Sequence, residues 1–450
     1  MEGYGATLPY HVRTTSDGGA EADPEELAGM AFDCLDEVHR QARESGLKVA
    51  AVAGSAFWHG LMGTGADGRP TVPVFHLFDT RSEAWVHRTA SAHARTGCPP
   101  HSSYWPAKLL WLRETRAEAF AATRHWLGFP EYLGQKLFGR AQLSYSMASA
   151  AGLWNQNAND YDESTLEAVG VRREQLTAAR DEPEREPRIR RWPSYENAAW
   201  FPLLGDGVAN NVGSGCVSAQ SFALMVGTTG AMRALVESAP DVTPLELWRY
   251  RLDSRRPAIG GALSNGGEVY SWCKRTLALP KDLEARLEKA LPGSHGLQLL
   301  PFFSGERTPY WRGDLRGAIA GMTFATEPLD ILRAAMESVA LGFKQIYDLL
   351  AGCVGAPAEI VASGGGLLRS PAWTQMMADA LGRPVTASTE QEPSARGAVV
   401  WALEQLKMTD GLSAAVASNG ATFEPRAELG ERWMELMGKR AALYERLFSK

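Results

Sequence analysis

The sequence predicts an α/β protein built from more than one domain. At 450 residues the chain exceeds what a single hydrophobic core usually organises. Its composition is globular, with 45% hydrophobic and 22% charged residues. From about residue 48 onward, short apolar runs alternate with helical periodicity, the pattern of strands covered by helices.

The elements follow in order. DPEELAGMAFDCLDEVHRQARESG, from Asp23, has an acidic first turn and one apolar stripe of Leu27, Met30, Ala31, Cys34, Leu35 and Val38, which predicts a helix. KVAAVAGSAF (48–57) reads as a buried strand. SFALMVGTTGAMRALVES (221–238) places Gly-Thr-Thr-Gly between two apolar runs and predicts a hairpin. RRPAIGGALSNGG (255–267) leads into a helix from about Glu268, and EPLDILRAAMESVALGFKQIYDLLAGC (327–353) is a long helix with a strong apolar face. In AEIVASGGGLLRSPAWTQMMADALGRPV (358–385) an apolar run ends in three glycines. Ser370 then suits an N-cap, Pro371 the first helical position and Gly382 the residue just past the end. A composition break at SAPDVT (238–243) divides the chain into domains 1–238 and 239–408, and a helical tail follows at 409–450.

A net charge of −6 and a pI near 5.9 argue against a general nucleic-acid or anionic-membrane surface. The five cysteines are widely spaced and odd in number, which fits neither a metal-ligand pair nor a disulfide framework and suits a cytoplasmic protein. No run of 18 apolar residues exists, and the N-terminus lacks a basic-then-apolar signal pattern.

Three glycine loops point to a phosphate-bearing ligand. Gly364, Gly365 and Gly366 sit between a strand and a helix, where a tight turn alone needs one or two glycines. VGTTGAM (226–232) offers backbone amides and the hydroxyls of Thr228 and Thr229, and Gly267 precedes a helix start. Together they suit a polyphosphate and its nucleoside held from several sides. In FPLLGDGVANNVGSGC (201–216), Asp206 stands between two glycines after an apolar run, where a carboxylate can take the proton of an attacking hydroxyl or simply close an Asp-Gly turn. His59 in AFWHGLMG (56–63), with Asp79 and Arg81 in VFHLFDTRSEAW (74–85), supplies the donors and acceptors a polyol needs, although a lone His after a strand is more often structural.

These segments resemble the FGGY carbohydrate kinase family, especially its gluconate-kinase and xylulose-kinase branch. The most specific stretch is GAIAGMTFATEPLDILRAAMES (317–338), which is similar to the family's C-terminal signature throughout. LPFFSGERTPYWRGDLRG (300–317), the GTTG loop, the GDG loop and the SGGG helix stand in the family's order. SSYWPAKLLWLRE (102–114) resembles its Lys-x-x-Trp helix, and SMASAAGLWN (146–155) its Ser-rich substrate-side loop. The resemblance implies two actin-like (ribonuclease-H-like) domains flanking a central cleft, with ATP and Mg²⁺ as cofactors. It implies that Asp206 is the general base, that Gly227, Thr228 and Gly267 lie at the phosphates, where the neighbouring Thr229 of the same loop is also placed, and that Gly365, Gly366 and Arg369 lie beside the adenosine. His59, Asp79 and Arg81 fall on the sugar side.

One feature departs from the family. Its opening Asp-x-Gly-Thr-Ser/Thr loop, which binds phosphate and helps hold the metal, has no counterpart in MEGYGATLPYHVRTTSDGGAEADPEE. The first domain is therefore expected to be N-terminally truncated, and no metal residue is assigned. Two readings stand: an ATP-dependent kinase of a sugar or sugar acid, gluconate-like before xylulose, or a catalytically impaired sugar- or nucleotide-binding relative. The expected partner is a small sugar or sugar acid. Neither nucleic acid nor membrane is expected, and the oligomeric state is open, a homodimer being one option.

Overall fold

The computed structural model describes residues 4–185, 187–188, 192–240 and 242–448 of the chain. It divides into two compact units, each assembled from discontinuous segments: 1–212, 249–257 and 394–412 in the first, and 213–248, 258–393 and 413–450 in the second.

In the first unit, helix Pro24–Glu44 begins where expected, with the Asp23 carboxylate accepting the N–H groups of Glu25 and Glu26. It packs on an antiparallel sheet whose order is Arg13–Thr14, Ala20–Ala22, Pro70–Phe75, Leu61–Thr64 and His125–Leu127. Ala22, Leu27, Met62, Val74, Leu127 and Tyr132 form one buried cluster between sheet and helices. The run expected as one strand over 48–57 is two short ones, Ala51–Val52 and Ser55–Ala56. They pair in parallel with Ala199–Trp200 and Leu204–Gly205. Pro202 lies between those two partners and has no N–H to donate, which accounts for the break in the ladder. Beside Ala51–Gly54 lies an apolar cavity of about 470 Å³, walled by Leu35, Val38, Leu133 and Phe138.

The second unit carries a mixed sheet. Ser221–Val226, Gly230–Leu235 and Pro257–Leu263 form an antiparallel meander. Glu359–Ser363 and Val385–Ser388 extend it in parallel, and Asn419–Phe423 closes the edge antiparallel. Helix Pro328–Val354 buries Leu332, Ala335, Val339, Phe343, Ile346 and Leu350 at three- and four-residue spacing against this sheet. The expected break at 238 falls inside this unit, because the hairpin 221–235 must lie beside Glu359–Ser363 to complete the sheet. Residues 413–450 likewise belong to it, adding a strand as well as helix Gly430–Phe448 with Trp433 and Leu443 buried. Among the described residues, no helix is long and apolar enough to cross a membrane.

Segments 249–257 and 394–412 are joined within the first unit by a buried ion cluster. Asp253, whose side chain is 1% exposed, accepts from the Arg256 guanidinium, from the backbone N–H of Arg255 and Arg256, and from Trp401 Nε1. Arg256 also pairs with Glu404 at 2.6 Å. Burial pulls the Asp253 acid upward, but the Arg256 bond and charge and the two N–H groups together hold it below the usual carboxylate range. Its contribution to stability is therefore present above about pH 4 and lost as pH falls through its folded value. Arg256→Leu leaves a buried carboxylate without its cation and should destabilise the protein by about 3 kcal/mol at pH 7. In denaturant titrations the gap to the parent should narrow towards pH 3. A gap that is small or independent of pH would show that the cluster does not hold these segments.

Candidate active site

Strands Ser221–Val226 and Glu359–Ser363 run in parallel, with Met225 opposite Ser363, so their carboxyl ends deliver two glycine turns to the same edge. Gly227 and Thr228 follow the first strand, and Gly364 to Gly366 follow the second. Helix Gly267–Thr276 starts beside them. Gly227, Thr228, Gly267, Gly365, Gly366 and Arg369 line one pocket of about 180 Å³. Six of the seven residues expected around the nucleotide are thus brought together, and Thr229 stands behind them with its carbonyl accepting the Gly227 N–H at 2.9 Å. Glu268, Tyr270, Ser271 and Ser370 complete the lining. Sequence reasoning missed them as pocket residues, although Tyr270 and Ser271 lie one helical turn past Gly267.

The reason for the glycines is partly different from the expected one. Gly364 has φ +88°, and a Cβ there would lie 2.5 Å from the Val226 carbonyl. A Cβ on Gly366 would meet Val226 Cγ1 at 2.8 Å. Both are glycine because helix Gly365–Leu368 packs directly on the neighbouring strand. A Gly365 side chain would meet only the mobile end of Arg369, at 3.1 Å. The N–H of Gly267 donates to Gly227 O at 2.8 Å and that of Glu268 to Thr228 O at 3.1 Å. Those two amides tie helix to hairpin, and the Thr228 hydroxyl and the Arg369 guanidinium are side-chain groups of the lining suited to an anion. Ser370 caps the next helix by accepting the Trp373 N–H, and Pro371 and Gly382 occupy the positions expected of them.

In the first unit, Asp206 heads helix Asp206–Gly213 and is exposed. Its Oδ1 accepts the Gly207 N–H at 2.8 Å, and the Ser394 hydroxyl donates to its carbonyl at 3.1 Å. The Tyr10 phenol is held above its ordinary range by burial and by the Asp206 charge. The residue before Asp206 is fixed on two sides: Gly205 N–H donates to Ser146 Oγ at 2.9 Å, and the Trp58 indole occupies the space a Cβ on Gly205 would need. Trp58 in turn donates from Nε1 to the Ser146 carbonyl.

His59 is buried with a left-handed φ of 69°. Its Nδ1 is 2.9 Å from the Ala150 carbonyl, which can only accept, so Nδ1 carries a proton. Tyr104 and Tyr250 meet its ring edge-on, and their hydroxyls bond to each other. The His59 carbonyl accepts from Lys108 Nζ at 3.1 Å. Lys108 is fully buried, and burial draws it down to about 7 against the opposing charge of Asp79. Asp79 and Arg81 are bonded to each other. Asp79 is 1% exposed and accepts from the Ala20 N–H and from Arg81, whose guanidinium also pairs with Glu21 at 2.7 Å and lies over Trp111. Their charges are neutralised inside the unit.

A mixed sheet of this order, with a glycine-walled pocket at the carboxyl ends of its parallel strands, makes the second unit an α/β domain whose turns converge on one edge. Models of the FGGY family of carbohydrate kinases match residues 5–185 as its N-terminal domain and 205–405 as its C-terminal domain. The chain belongs to that family, a family of phosphotransferases with an alcohol group as acceptor and ATP as phosphate donor. It is 26% identical over 441 residues to a gluconokinase of Bacillus subtilis, covering 93% of this chain and 86% of the relative. To a xylulose kinase of Streptomyces rubiginosus it is 28% identical over 454 residues, covering 95% and 88%. The crystal structure of a gluconate kinase from Lactobacillus acidophilus superposes with a TM-score of 0.90 at 25% identity, covering 98% of this chain and 93% of the other.

Gly365→Ala should leave the melting temperature within about 2 °C of the parent, since only the Arg369 side chain must move, and should weaken ATP binding several-fold. Gly366→Ala should lower the melting temperature by more, because the Val226 backbone must shift. Equal melting temperatures for the two variants would contradict this division of roles.

Proposed function

We propose that this chain transfers the γ-phosphoryl group of ATP to a hydroxyl of a gluconate-like sugar acid, with xylulose the next candidate. The observation that carries the reading is the convergence of six expected nucleotide positions on one pocket. The similarity to a gluconokinase and to a xylulose kinase supports the substrate class.

Asp206 is the general base in this reading. Its exposed carboxylate is held at the head of a helix by the Gly207 N–H and by the fixed Gly205, so it can accept the proton of an incoming hydroxyl. The sugar oxygen forms the new bond to phosphorus, the bond from phosphorus to the β–γ bridging oxygen breaks, and ADP leaves with that electron pair. Mg²⁺ bound with the triphosphate would supply charge neutralisation, and no side chain is assigned to it. Thr228 and Arg369 hold phosphate and nucleoside, with Gly227, Gly267, Gly365 and Gly366 forming the wall. His59 is the sugar-side reader. Asp79 and Arg81 act one step behind it, since the charge of Asp79 favours the ammonium form of Lys108, which grips the His59 carbonyl.

Asp206→Asn should lower kcat by about 10²–10⁴-fold while the sugar KM stays within a few-fold, because the amide keeps the shape but cannot take the proton. Near-parental turnover would remove Asp206 from the role of base. In a panel of gluconate, xylulose, ribulose and glycerol with labelled ATP, gluconate should show the highest kcat/KM. A clear preference for another member would overturn the substrate assignment, and binding of sugar and ATP without turnover would identify an impaired relative.

A further inference from the structure

The stretch SGERTPYW (304–311) has no part in the reaction described above, yet it surrounds a buried carboxylate. Glu306 is 1% exposed, and its Oε1 accepts the backbone N–H groups of Ser264 and, at 2.9 Å, Arg307. The next residue, Asn265, is tied to the same stretch. Its Nδ2 donates to Gly305 O at 2.6 Å, and its Oδ1 accepts from Ser304 N and Oγ at 3.3 and 3.2 Å. The two residues after that bond to the opposite turn, Gly266 N–H to Thr228 O at 3.3 Å and Gly267 N–H to Gly227 O at 2.8 Å. Gly227, Thr228 and Gly267 wall the nucleotide pocket.

We propose that Glu306 is a positioning residue for the nucleotide: through Ser264 it sets Gly266 and Gly267 against the Gly227–Thr228 turn without touching the ligand. This rests on the pocket being the nucleotide site. Packing alone does not explain a carboxyl group here, because burying one is unfavourable and an apolar residue of similar size would fill the space. What the apolar residue lacks is an acceptor for the Ser264 N–H. Burial pushes the Glu306 acid up to about 7, opposed by those two N–H groups and by the charges of Arg307 and Arg440. The carboxylate accepts more strongly than the neutral acid, so the brace tightens as pH rises through that value.

The test uses the full chain, calorimetry with ATP, and melting temperatures. Thr308→Val serves as a structural control, since Thr308 Oγ1 accepts the Ala262 N–H at 3.0 Å, in the strand before Ser264, and donates to Glu246 O, neither bond being made to residues 264–267. Glu306→Leu should weaken ATP binding by about tenfold or more, while Thr308→Val should bind ATP like the parent even if it melts earlier. Glu306→Gln should match the parent at pH 6 and fall behind it by about threefold at pH 8.5, which decides the matter even if the leucine variant does not fold. Parental ATP affinity in folded Glu306→Leu, loss in Thr308→Val as large as in Glu306→Leu, or a parent-to-Gln ratio that stays constant with pH would each overturn the proposal. A parent that binds no ATP would overturn the reading of the pocket as well, and the first titration distinguishes that case.

Discussion

The ladder between Ser221–Val226 and Glu359–Ser363 is the constraint on which the glycine-walled pocket depends. Because the two strands are parallel and in register to Met225 and Ser363, their exit turns emerge side by side, and the backbones must pass without side chains between them. Gly364 turns with positive φ, and Gly366 passes within van der Waals contact of Val226. The direction of helix Gly365–Leu368 follows from that approach, and so does the place where Ser370 starts the next helix. The long helix Pro328–Val354 supports the same strands from one face, with Phe343 closing against Gly230. A pocket remains where the turns diverge.

The first unit solves a related problem with different chemistry. Asp206 is exposed, and the residues before it carry the ordering: a parallel pair at Leu204–Gly205, a serine hydroxyl and an indole ring. Around His59 the charges are paired in advance. Asp79, Arg81 and Glu21 satisfy one another, and Lys108 donates to two backbone carbonyls, His59 O and Ser103 O. An ammonium ion so enclosed is sensitive to its surroundings, which is why burial moves it towards neutrality. The left-handed backbone of His59 is held from outside by that ammonium and by Ala150, the over-determination such a conformation needs.

Both halves illustrate how bare backbone should be read. A glycine cluster reports that something approaches closely, and in this protein the first thing to approach is another strand. The ligand pocket is a consequence of how the strand ends are spaced. This explains why the amides of Gly267 and Glu268, which a phosphate would be expected to meet, bond instead to the hairpin carbonyls.

Whatever depended on near neighbours was legible in the sequence. Ser370, Pro371 and Gly382 announce a helix by capping chemistry that needs only a few residues, and the apolar period of 327–353 announces another. The Gly-Thr-Thr-Gly turn predicts its own hairpin, and the order of glycine loops was enough to anticipate which residues would share a pocket. Tertiary structure decided the rest. Tyr104 and Tyr250 meet across 146 residues of chain, and Glu306 finds Ser264 across 42. Asp79 and Arg81 look like sugar ligands by type, and their residue types alone do not show that Arg81 also pairs with Glu21 and lies over Trp111. The domain boundary shifted for the same reason, since a hairpin joins the unit that holds its partner strand. Local propensity acts over one or two turns of chain, whereas burial and pairing are set by residues the chain brings back from far away.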